Sequence, residues 1–440
     1  MARIRMRILK AQPARTLLAG YAFYILAGWA LLSLPLAQEA AVAPIDALFI
    51  SASAVSTTGL VTVDPGSAFS PFGEVVILVL IQLGGLGYMT VGSFALLALT
   101  RRLGPIRARA TRAAFGLPEG IGPAFFLRSV VLFTLAVELA GAFVLAGLFF
   151  ARGVPDPVWS GLFHSVSAFC TAGFSLFPDS FERFRHDPAI LFTLSALSIL
   201  GSVGFLIVVD IWYWTVGRAA RLGFTSAVIL RTTCWLIGFG TLLFFLTDPA
   251  TGHMIWDQRL LNAFFQAMSA STTVGFNSVP IGGTGTAALF VLILLMVVGA
   301  SPAGTGGGFK TTSLAVILGL IASVLRGRPD IRLCGRRLGE DRIHLAAASL
   351  AFYLGMMALA VLVLGWLEPA ADFEAVVFEA VSAMSTVGLS MGLTGSLGDA
   401  GKLVVIVLMF AGRVGFLTFG IALALRDRAQ PAREEGELVL

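Results

Sequence analysis

The sequence predicts an all-α polytopic membrane protein with four tandem helix–pore loop–helix repeats, in which eight full spans and four half-membrane pore helices surround one pseudo-fourfold pore. Two observations support this fold class. Hydrophobic residues make up 57% of the 440 positions and charged residues 12%, a balance that a soluble chain of this length could not present to water. In addition, one short motif occurs four times, each time between two apolar segments.

The repeated motif reads F-x3-S-A-x2-T-x-G-[LF], and every copy fits it without a gap. Its copies recur at intervals of about 110 residues, which is too long for a solenoid repeat and implies four copies of a larger unit. We interpret the phenylalanine as a packing residue, and the Ser-Ala pair as a small-residue contact that lets a short helix sit against its neighbours. The four copies are residues 49–60, 163–174, 265–276 and 378–389.

Apolar segments of about 20 residues, long enough to cross a bilayer, flank every copy of the motif. The chain therefore divides into repeats joined by short polar linkers. We predict a cytoplasmic N-terminus at 1–15, repeat 1 at 16–100, a cytoplasmic linker at 101–124, repeat 2 at 125–216, repeat 3 at 217–326, a cytoplasmic linker at 327–343, repeat 4 at 344–425 and a cytoplasmic C-terminus at 426–440.

The distribution of basic residues orients these segments. Most of the 30 Lys and Arg residues lie near the termini and in the linkers between repeats, and few lie in the segments that carry the motif. The positive-inside rule then places both termini and the linkers in the cytoplasm, so that the motifs enter the inner membrane from outside. The net charge of +5 requires no nucleic acid partner, because basic residues gather at the anionic inner leaflet.

Each motif closes an apolar segment of about a dozen residues, which as a helix covers roughly half of the bilayer. Such a segment has to return, and non-helical backbone at membrane depth must line a water-filled cavity or be buried in protein. Glycine permits the return turn, and an extended run after the helix presents carbonyl oxygens to one side. Four such runs around one axis would replace the hydration shell of a monovalent cation, aided by the negative ends of the short helices.

With these motifs, the sequence resembles the Trk, Ktr and HKT superfamily of potassium transporters over residues 16–425, including segments 81–87, 299–313 and 412–415. It is most similar to the KtrB-type membrane subunit, because the first repeat begins almost at once. The resemblance implies a selectivity filter that binds K+, the only metal ion expected. Its residues would be Thr57, Thr58, Gly59, Thr171, Ala172, Gly173, Thr273, Val274, Gly275, Thr386, Val387 and Gly388.

Repeat 3 departs from the others, because a run rich in glycine and hydroxyl residues, 299–313, interrupts its second span. Broken backbone at membrane depth has to face a cavity, and on the cytoplasmic side of the filter a flexible loop is a gate. The resemblance implies the same role, and the alternative is a kink used only for packing. The expected gate residues are Gly304, Thr305, Gly306, Gly307, Gly308 and Lys310.

Charged residues inside spans are functional hypotheses by default. The resemblance implies that Arg413 faces the pore below the filter as an electrostatic barrier, and Lys310 is expected to contact the pore from the loop. For both cations, pairing with a structural acid such as Glu138 stays open. For His164, in the second pore helix, helix packing and a pH-sensitive position at the mouth stay open.

The predicted function is potassium uptake through a gated filter, with sodium or non-selective monovalent cation transport by the same pore as the alternative. An alternating-access transporter built from inverted repeats is less consistent, because all four repeats run in the same direction. No enzymatic motif and no cofactor is expected, and Na+ as an activator or co-ion stays open. The resemblance further implies a homodimer docked on a cytosolic KtrA-like ring of nucleotide-binding regulatory subunits, with the arginines of 326–337 as contacts.

Overall fold

The computed structural model describes residues 2–87, 122–217, 222–302, 304–328 and 330–423. We group its helices into units 1 to 4, one for each copy of the motif. The predicted linker 101–124 and C-terminus 426–440 lie wholly or almost wholly outside these residues. Unit 1 holds α1 (Ala2–Leu32), α2 (Pro44–Ser56), α3 (Pro65–Ala68) and α4 (Pro71–Leu86); unit 2 holds α5 (Pro123–Ala151), α6 (Pro157–Phe169), α7 (Pro188–Val203) and α8 (Phe205–Thr215). Unit 3 holds α9 (Phe224–Thr247), α10 (Trp256–Thr272), α11 (Thr286–Val297) and α12 (Thr311–Leu325); unit 4 holds α13 (Glu340–Leu367), α14 (Phe373–Ser385), α15 (Asp399–Val414) and α16 (Phe416–Leu423).

Smaller elements connect these helices. A two-stranded antiparallel hairpin, β1 (Arg332–Leu333) and β2 (Arg336–Arg337), joins units 3 and 4, with Arg332 opposite Arg337. Four 3-10 turns lie on the segments between helices, at Pro35–Ala37, Glu182–Phe184, Ile281–Gly283 and Thr394–Ser396.

The four short helices α2, α6, α10 and α14 carry the motif, and we call them the pore helices. Three of them have 13 residues and α10 has 17, so a 13-residue helix covers about 20 Å of a hydrocarbon core of about 30 Å. The motif phenylalanine of every copy is fully buried, as expected for a packing residue. These helices are enclosed by protein rather than exposed to lipid, which allows the backbone that follows them to leave helical geometry.

Each pore helix packs between the two spans of its own unit and also touches the second span of the unit before it. The contacts between units are α4 with α6, α7 with α10, α11 with α14, and α15 with α2. The last of these joins unit 4 back to unit 1. The units therefore contact one another in a closed cycle, and every pore helix has the same set of neighbours.

A polar contact at the outer end of each interface joins one unit to the next. Three of these contacts are hydrogen bonds, and the one between units 4 and 1 is an ion pair whose two side chains are only 12% and 13% exposed. The contacts are Trp159 to Glu74 (2.5 Å), Asn262 to the carbonyl of Arg185 (3.0 Å), Thr286 to Glu374 (3.3 Å) and Lys402 to Asp46 (2.7 Å).

The prediction of eight full spans needs correction, because the second spans are not continuous helices. Among the described residues, three helices are long and apolar enough to cross a membrane, or four if the pair α7 and α8, bent by 96°, counts as one span. Glycines with positive φ break the second spans of units 2 and 4, at Gly204 (99°) and Gly415 (94°), and α4 ends before Gly87 (77°). Interruption is therefore not confined to unit 3.

Three residues before each of these breaks, another glycine packs against the end of the pore helix in the same unit. A Cβ atom there would collide with the carbonyl oxygen two residues before the motif threonine, so only glycine permits this approach. The pairs are Gly84 with Val55, Gly201 with Phe169, and Gly412 with Met384. Close backbone contact thus sets the position of each bend relative to its Thr-x-Gly turn.

Replacing Lys402 with methionine should lower the stability of the folded protein by about 3 kcal/mol, because the mostly buried Asp46 carboxylate loses its ion pair. Thermal unfolding in detergent would measure the change. The matched control is Arg183→Met, which breaks an exposed pair with Asp179 and should cost about 1 kcal/mol or less. Equal midpoints for the two variants would contradict a role for the buried pair in joining unit 4 to unit 1.

Candidate cation filter and gate

The backbone turns in the same way after all four pore helices. The motif threonine of each copy adopts a left-handed conformation, and the glycine two residues later also has a positive φ. A left-handed conformation costs a β-branched residue roughly 1–3 kcal/mol, so it persists only where the surroundings enforce it. The φ angles are 53° and 92° for Thr57 and Gly59, 50° and 68° for Thr171 and Gly173, 61° and 79° for Thr273 and Gly275, and 54° and 97° for Thr386 and Gly388.

The motif serine is the side chain that holds this turn. Its carbonyl oxygen accepts a hydrogen bond from the residue after the motif threonine in every copy. Its hydroxyl binds the filter backbone, at the glycine N–H in units 1 and 4 and at the carbonyl after the glycine in units 2 and 3. These hydroxyl bonds are Gly59 N to Ser53 (3.1 Å), Ser167 to Phe174 O (2.7 Å), Ser269 to Phe276 O (2.6 Å) and Gly388 N to Ser382 (3.0 Å). The interpretation of this serine as only a small packing residue was incomplete.

The four Thr-x-Gly turns meet one another in a ring. Each filter glycine lies against the carbonyl oxygen of the residue before the glycine in the next unit, so closely that a Cβ atom would collide with that oxygen. The contacts run from Gly59 to Ala172, from Gly173 to Val274, from Gly275 to Val387 and from Gly388 to Thr58. The structure therefore brings the four loops that carry the twelve expected filter residues together, and the last two residues of each loop are in backbone contact with the next unit.

A cavity of about 360 Å³ opens on the outer side of this ring. Its lining includes the four filter glycines and the acidic side chains Asp64, Asp179 and Glu182. Burial, followed by the nearby Asp179 carboxylate, raises the pKa of Glu182 above its ordinary value. Carboxylates at the mouth of a cavity concentrate cations there, and the outer loops of units 1 and 2 supply those named here.

On the other side of the ring, the loop 299–310 lies directly against the filter threonines. The hydroxyl of Thr57 donates to the carbonyl of Thr305 (3.2 Å), and the hydroxyls of Thr171 and Thr305 are 3.0 Å apart. The hydroxyl of Thr386 accepts from the N–H of Gly307 (2.8 Å). A Cβ atom on the intervening Gly306 would collide with the hydroxyl of Thr273, the fourth threonine. Residues 305–307 thus contact all four units at the level of the threonines.

Backbone hydrogen bonds hold the loop in this position. The loop pairs with itself through Gly299 N to Phe309 O (2.8 Å). It also binds the end of α7, where Ser301 N donates to Ser202 O and Thr305 N donates to Gly201 O, both at 3.1 Å. The break at Gly204 leaves these carbonyls without helical partners, so the bend in unit 2 creates the acceptors that the loop of unit 3 needs.

The two intramembrane cations bind backbone carbonyls of the filter region. The ammonium group of Lys310 donates to Gly306 O (2.9 Å) and Gly307 O (3.3 Å) of its own loop. The guanidinium of Arg413 donates to the carbonyls of Thr305, Gly84 and Gly85, and so links the loop to unit 1. Within the described part of the chain, neither cation forms an ion pair, and Glu138 lies instead beside the thiol of Cys170 (3.6 Å).

His164 is fully buried, and rings of Phe149, Phe163, Phe177 and Phe181 surround it. This environment accounts for the packing interpretation of His164, although its ring nitrogens also form hydrogen bonds. Across the residues that the structure covers, no group of three or more His, Cys, Asp or Glu side chains could hold a metal ion. The candidate filter itself presents backbone carbonyl oxygens and threonine hydroxyls.

Comparison with known proteins agrees with the motifs. The family described as TrkH, cation transport protein, matches residues 22–429. The chain belongs to this family. It is 34% identical to the Ktr system potassium uptake protein B of Bacillus subtilis (strain 168), over 97% of this chain and 96% of that protein. It is also 35% identical to the protein of the same name from Vibrio alginolyticus, over 94% of this chain and 92% of that one.

Two further comparisons concern sodium and the fold. The potassium/sodium uptake protein NtpJ of Enterococcus hirae is 31% identical, over 97% of this chain and 96% of that protein. Among solved structures, the potassium transporter TrkH from Vibrio parahaemolyticus superposes with a TM-score of 0.71 and 19% identity, covering 93% of this chain and 85% of that one. The family resemblance predicted from the motifs is confirmed, and this TrkH family member shares the fold of TrkH.

Ser269→Ala should destabilise the third filter turn by about 1–3 kcal/mol, because the buried carbonyl of Phe276 loses its hydroxyl donor. The matched control is Ser271→Ala on the same helix, whose hydroxyl only bonds back to the carbonyl of Ala267 (2.7 Å). Thermal unfolding of both variants in detergent with K+ measures the difference. If Ser269→Ala unfolds at the same temperature as Ser271→Ala, the serine does not support the turn.

Proposed function

We propose that this protein takes up K+ across the cytoplasmic membrane through a filter made of its four Thr-x-Gly loops. The observation that supports this best is the ring in which each filter glycine contacts a carbonyl oxygen of the next unit. A ring of carbonyl oxygens replaces the hydration shell of a monovalent cation and offers little to an anion or an organic solute. The names of the Ktr relatives, which are potassium uptake proteins, support K+ as the cargo.

Two features favour a cation at the ring. Each pore helix ends one or two residues before its motif threonine, so the four partly negative helix ends converge on the turns. The acidic residues at the outer cavity would concentrate cations before they enter. Sodium is the alternative cargo, in view of the potassium/sodium uptake protein among the relatives, and Na+ as an activator or co-ion belongs to the same question.

We further propose that the loop from Gly304 to Gly308, with Lys310, is the gate and that Arg413 is the pore barrier. Thr305, Gly306 and Gly307 fill the space below the filter threonines, where a permeating ion has to pass. Arg413 binds the loop and adds a positive charge at the same level. Opening would require these hydrogen bonds to be exchanged for water, which is why hydrogen bonds rather than apolar packing suit a reversible gate.

The remaining proposals concern assembly. We propose a homodimer with both termini in the cytoplasm, docked on a KtrA-like ring of nucleotide-binding subunits. The names of the Ktr relatives, each protein B of a system, support further subunits. The hairpin Arg332 to Arg337 is the candidate contact, because its arginines are exposed and α12 connects it directly to the gating loop. A partner that moves the hairpin would therefore act on the loop through one short helix.

The filter proposal predicts that Gly275→Ser reduces K+ uptake about tenfold or more. Serine at this positive φ is strained by roughly 1–3 kcal/mol, and its Cβ atom would push the carbonyl of Val387 out of the ring. Uptake is measured in a bacterial strain without its own potassium uptake systems, and in proteoliposomes with 86Rb+.

The matched control for this variant is Gly283→Ser, eight residues after Gly275 in sequence, where an added Cβ atom would lie 4.0 Å from its nearest neighbour, in the Pro280 ring. It should transport at the normal rate. Normal uptake by Gly275→Ser would refute the filter, whereas equal uptake of Na+ and K+ by the unmodified protein would establish the sodium or non-selective alternative.

The barrier proposal predicts that Arg413→Gln raises the basal 86Rb+ flux of the purified chain by about tenfold. Removal of one partly buried charge from an ion path is worth about 1–2 kcal/mol, and the loop also loses its link to Gly84 and Gly85. Arg128→Gln, which removes an exposed charge from α5, is the control and should leave the flux unchanged. An Arg413→Gln flux at or below the normal level would contradict the barrier.

A further inference from the structure

One position of the motif, directly after its phenylalanine, was not assigned a role by the sequence pattern. It holds Ile50, His164, Gln266 and Glu379 in units 1 to 4, and all four side chains are fully buried. Three of the four are polar, although the pore helices that carry them are enclosed by protein. Buried polar side chains need hydrogen-bond partners, and each of these three has a partner in the segment that follows the filter glycine of its unit.

In unit 2, His164 bonds to the segment that follows the filter glycine. Its Nδ1 lies 2.7 Å from the carbonyl of Ser160, which can only accept, so Nδ1 carries the proton. Its Nε2 therefore accepts from the N–H of Leu176 (3.2 Å) and lies 3.0 Å from the hydroxyl of Ser175. The hydroxyl of Ser175 also accepts from the N–H of Phe177 (2.9 Å).

In unit 4, Glu379 makes the corresponding bonds. Its carboxylate accepts from the hydroxyl of Ser390, and also from the hydroxyl of Thr394 at 2.9 Å. Ser390 stands two residues after the filter glycine, as Ser175 does in unit 2, and its hydroxyl accepts from the N–H of Gly392 (2.9 Å). Two units on opposite sides of the ring therefore share one arrangement of acceptor, serine and turn.

Unit 3 reaches the same segment by a backbone bond, since the side-chain oxygen of Gln266 accepts from the N–H of Ser278 (3.0 Å). Unit 1 differs, because it has the apolar Ile50 at this position and Val61 two residues after the filter glycine. Ile50 belongs to the apolar core, and the partly buried Val61 packs against that core. The filter is thus braced by polar contacts on three sides and by apolar packing on the fourth.

We propose that His164, Gln266 and Glu379 are positioning residues for the filter. They set its discrimination between K+ and Na+ by fixing the segment that follows the filter glycine in their units. This inference rests on the proposed function, because it assumes that the Thr-x-Gly ring coordinates the ion. The two ions differ in radius by less than 1 Å, so selection requires carbonyl oxygens held at a defined spacing or field. A loop anchored to a rigid helix at its outer end keeps that spacing, whereas a released loop closes around the smaller ion.

The test compares Glu379→Leu with Glu379→Gln in proteoliposomes, with 86Rb+ uptake in the presence of competing K+ or Na+. Leucine fills the volume without an acceptor, and the ratio of half-inhibitory Na+ to K+ concentrations should fall about tenfold. Glutamine keeps an acceptor oxygen, and the ratio should stay within about twofold of normal. The control Asp372→Asn removes an exposed acidic charge from the start of the same helix and should leave the ratio unchanged.

An unchanged ratio in Glu379→Leu, with 86Rb+ uptake intact, overturns the inference while the proposed transport function stands. A ratio in Glu379→Gln as low as in Glu379→Leu also overturns it, because charge rather than anchoring would then be responsible. If Glu379→Leu does not fold, Ser390→Ala supplies the test, since it removes the loop side of the same bond. A fall of about threefold in its ratio supports the inference, and an unchanged ratio overturns it.

Discussion

The contact between a filter glycine and the carbonyl oxygen of the next unit is the constraint on which the rest of this structure depends. Four chain segments approach one axis so closely that a single methyl group on any glycine has no room. Such an approach places strained threonines side by side, and each must be enforced by its surroundings. The motif serine stabilises the turn from its own pore helix through hydrogen bonds. The closed cycle of units enforces it from the side.

The breaks in the second spans follow from the same requirement. A straight second span would leave no free carbonyl groups at the level where the loop of unit 3 needs acceptors. The bend at Gly204 exposes the carbonyls of Gly201 and Ser202, and the loop uses both. The carbonyls of Gly84 and Gly85, just before the end of α4 in unit 1, are used in turn by Arg413. The end of α4 in unit 1 and the break after α7 in unit 2 thus both supply carbonyl groups to the proposed gate of unit 3.

Much of this arrangement could be predicted from the sequence, because the motif occurs four times with the same internal spacing. Such a repeat is stronger evidence than any single residue. The four motif copies predicted the four pore helices and the position of each return turn. The interruptions at Gly204 and Gly415 were missed, since one glycine in an apolar helix is ordinary and only its φ angle shows the bend. The hydrogen-bond acceptors at His164, Gln266 and Glu379 were also missed, because three different residue types bind the segment after the filter glycine. Alignment of the four copies by position rather than by residue type would have found them.

The partner of a buried cation is equally hard to predict from sequence. For Arg413 and Lys310, an ion pair with an acid such as Glu138 was the open alternative to a pore role. Both cations bind backbone carbonyls instead, and the residue pattern does not show such partners. The periodicity of apolar residues predicts which side chains are buried. It does not predict which backbone carbonyls lose their helical partner at a bend, because that depends on tertiary geometry. Family membership identifies a cation transport protein, whereas the contacts at the ring depend on the tertiary structure.

A ring encoded in one chain differs from a ring of identical subunits in how it can change. In a tetramer of identical subunits, one mutation changes all four quadrants of the ring at once. A single quadrant cannot be changed alone. Here Ile50 and Val61 give the first quadrant an apolar wall while the other three retain polar ones. Under the proposed function, substitutions can therefore adjust ion preference one quadrant at a time while the other three quadrants keep their structure.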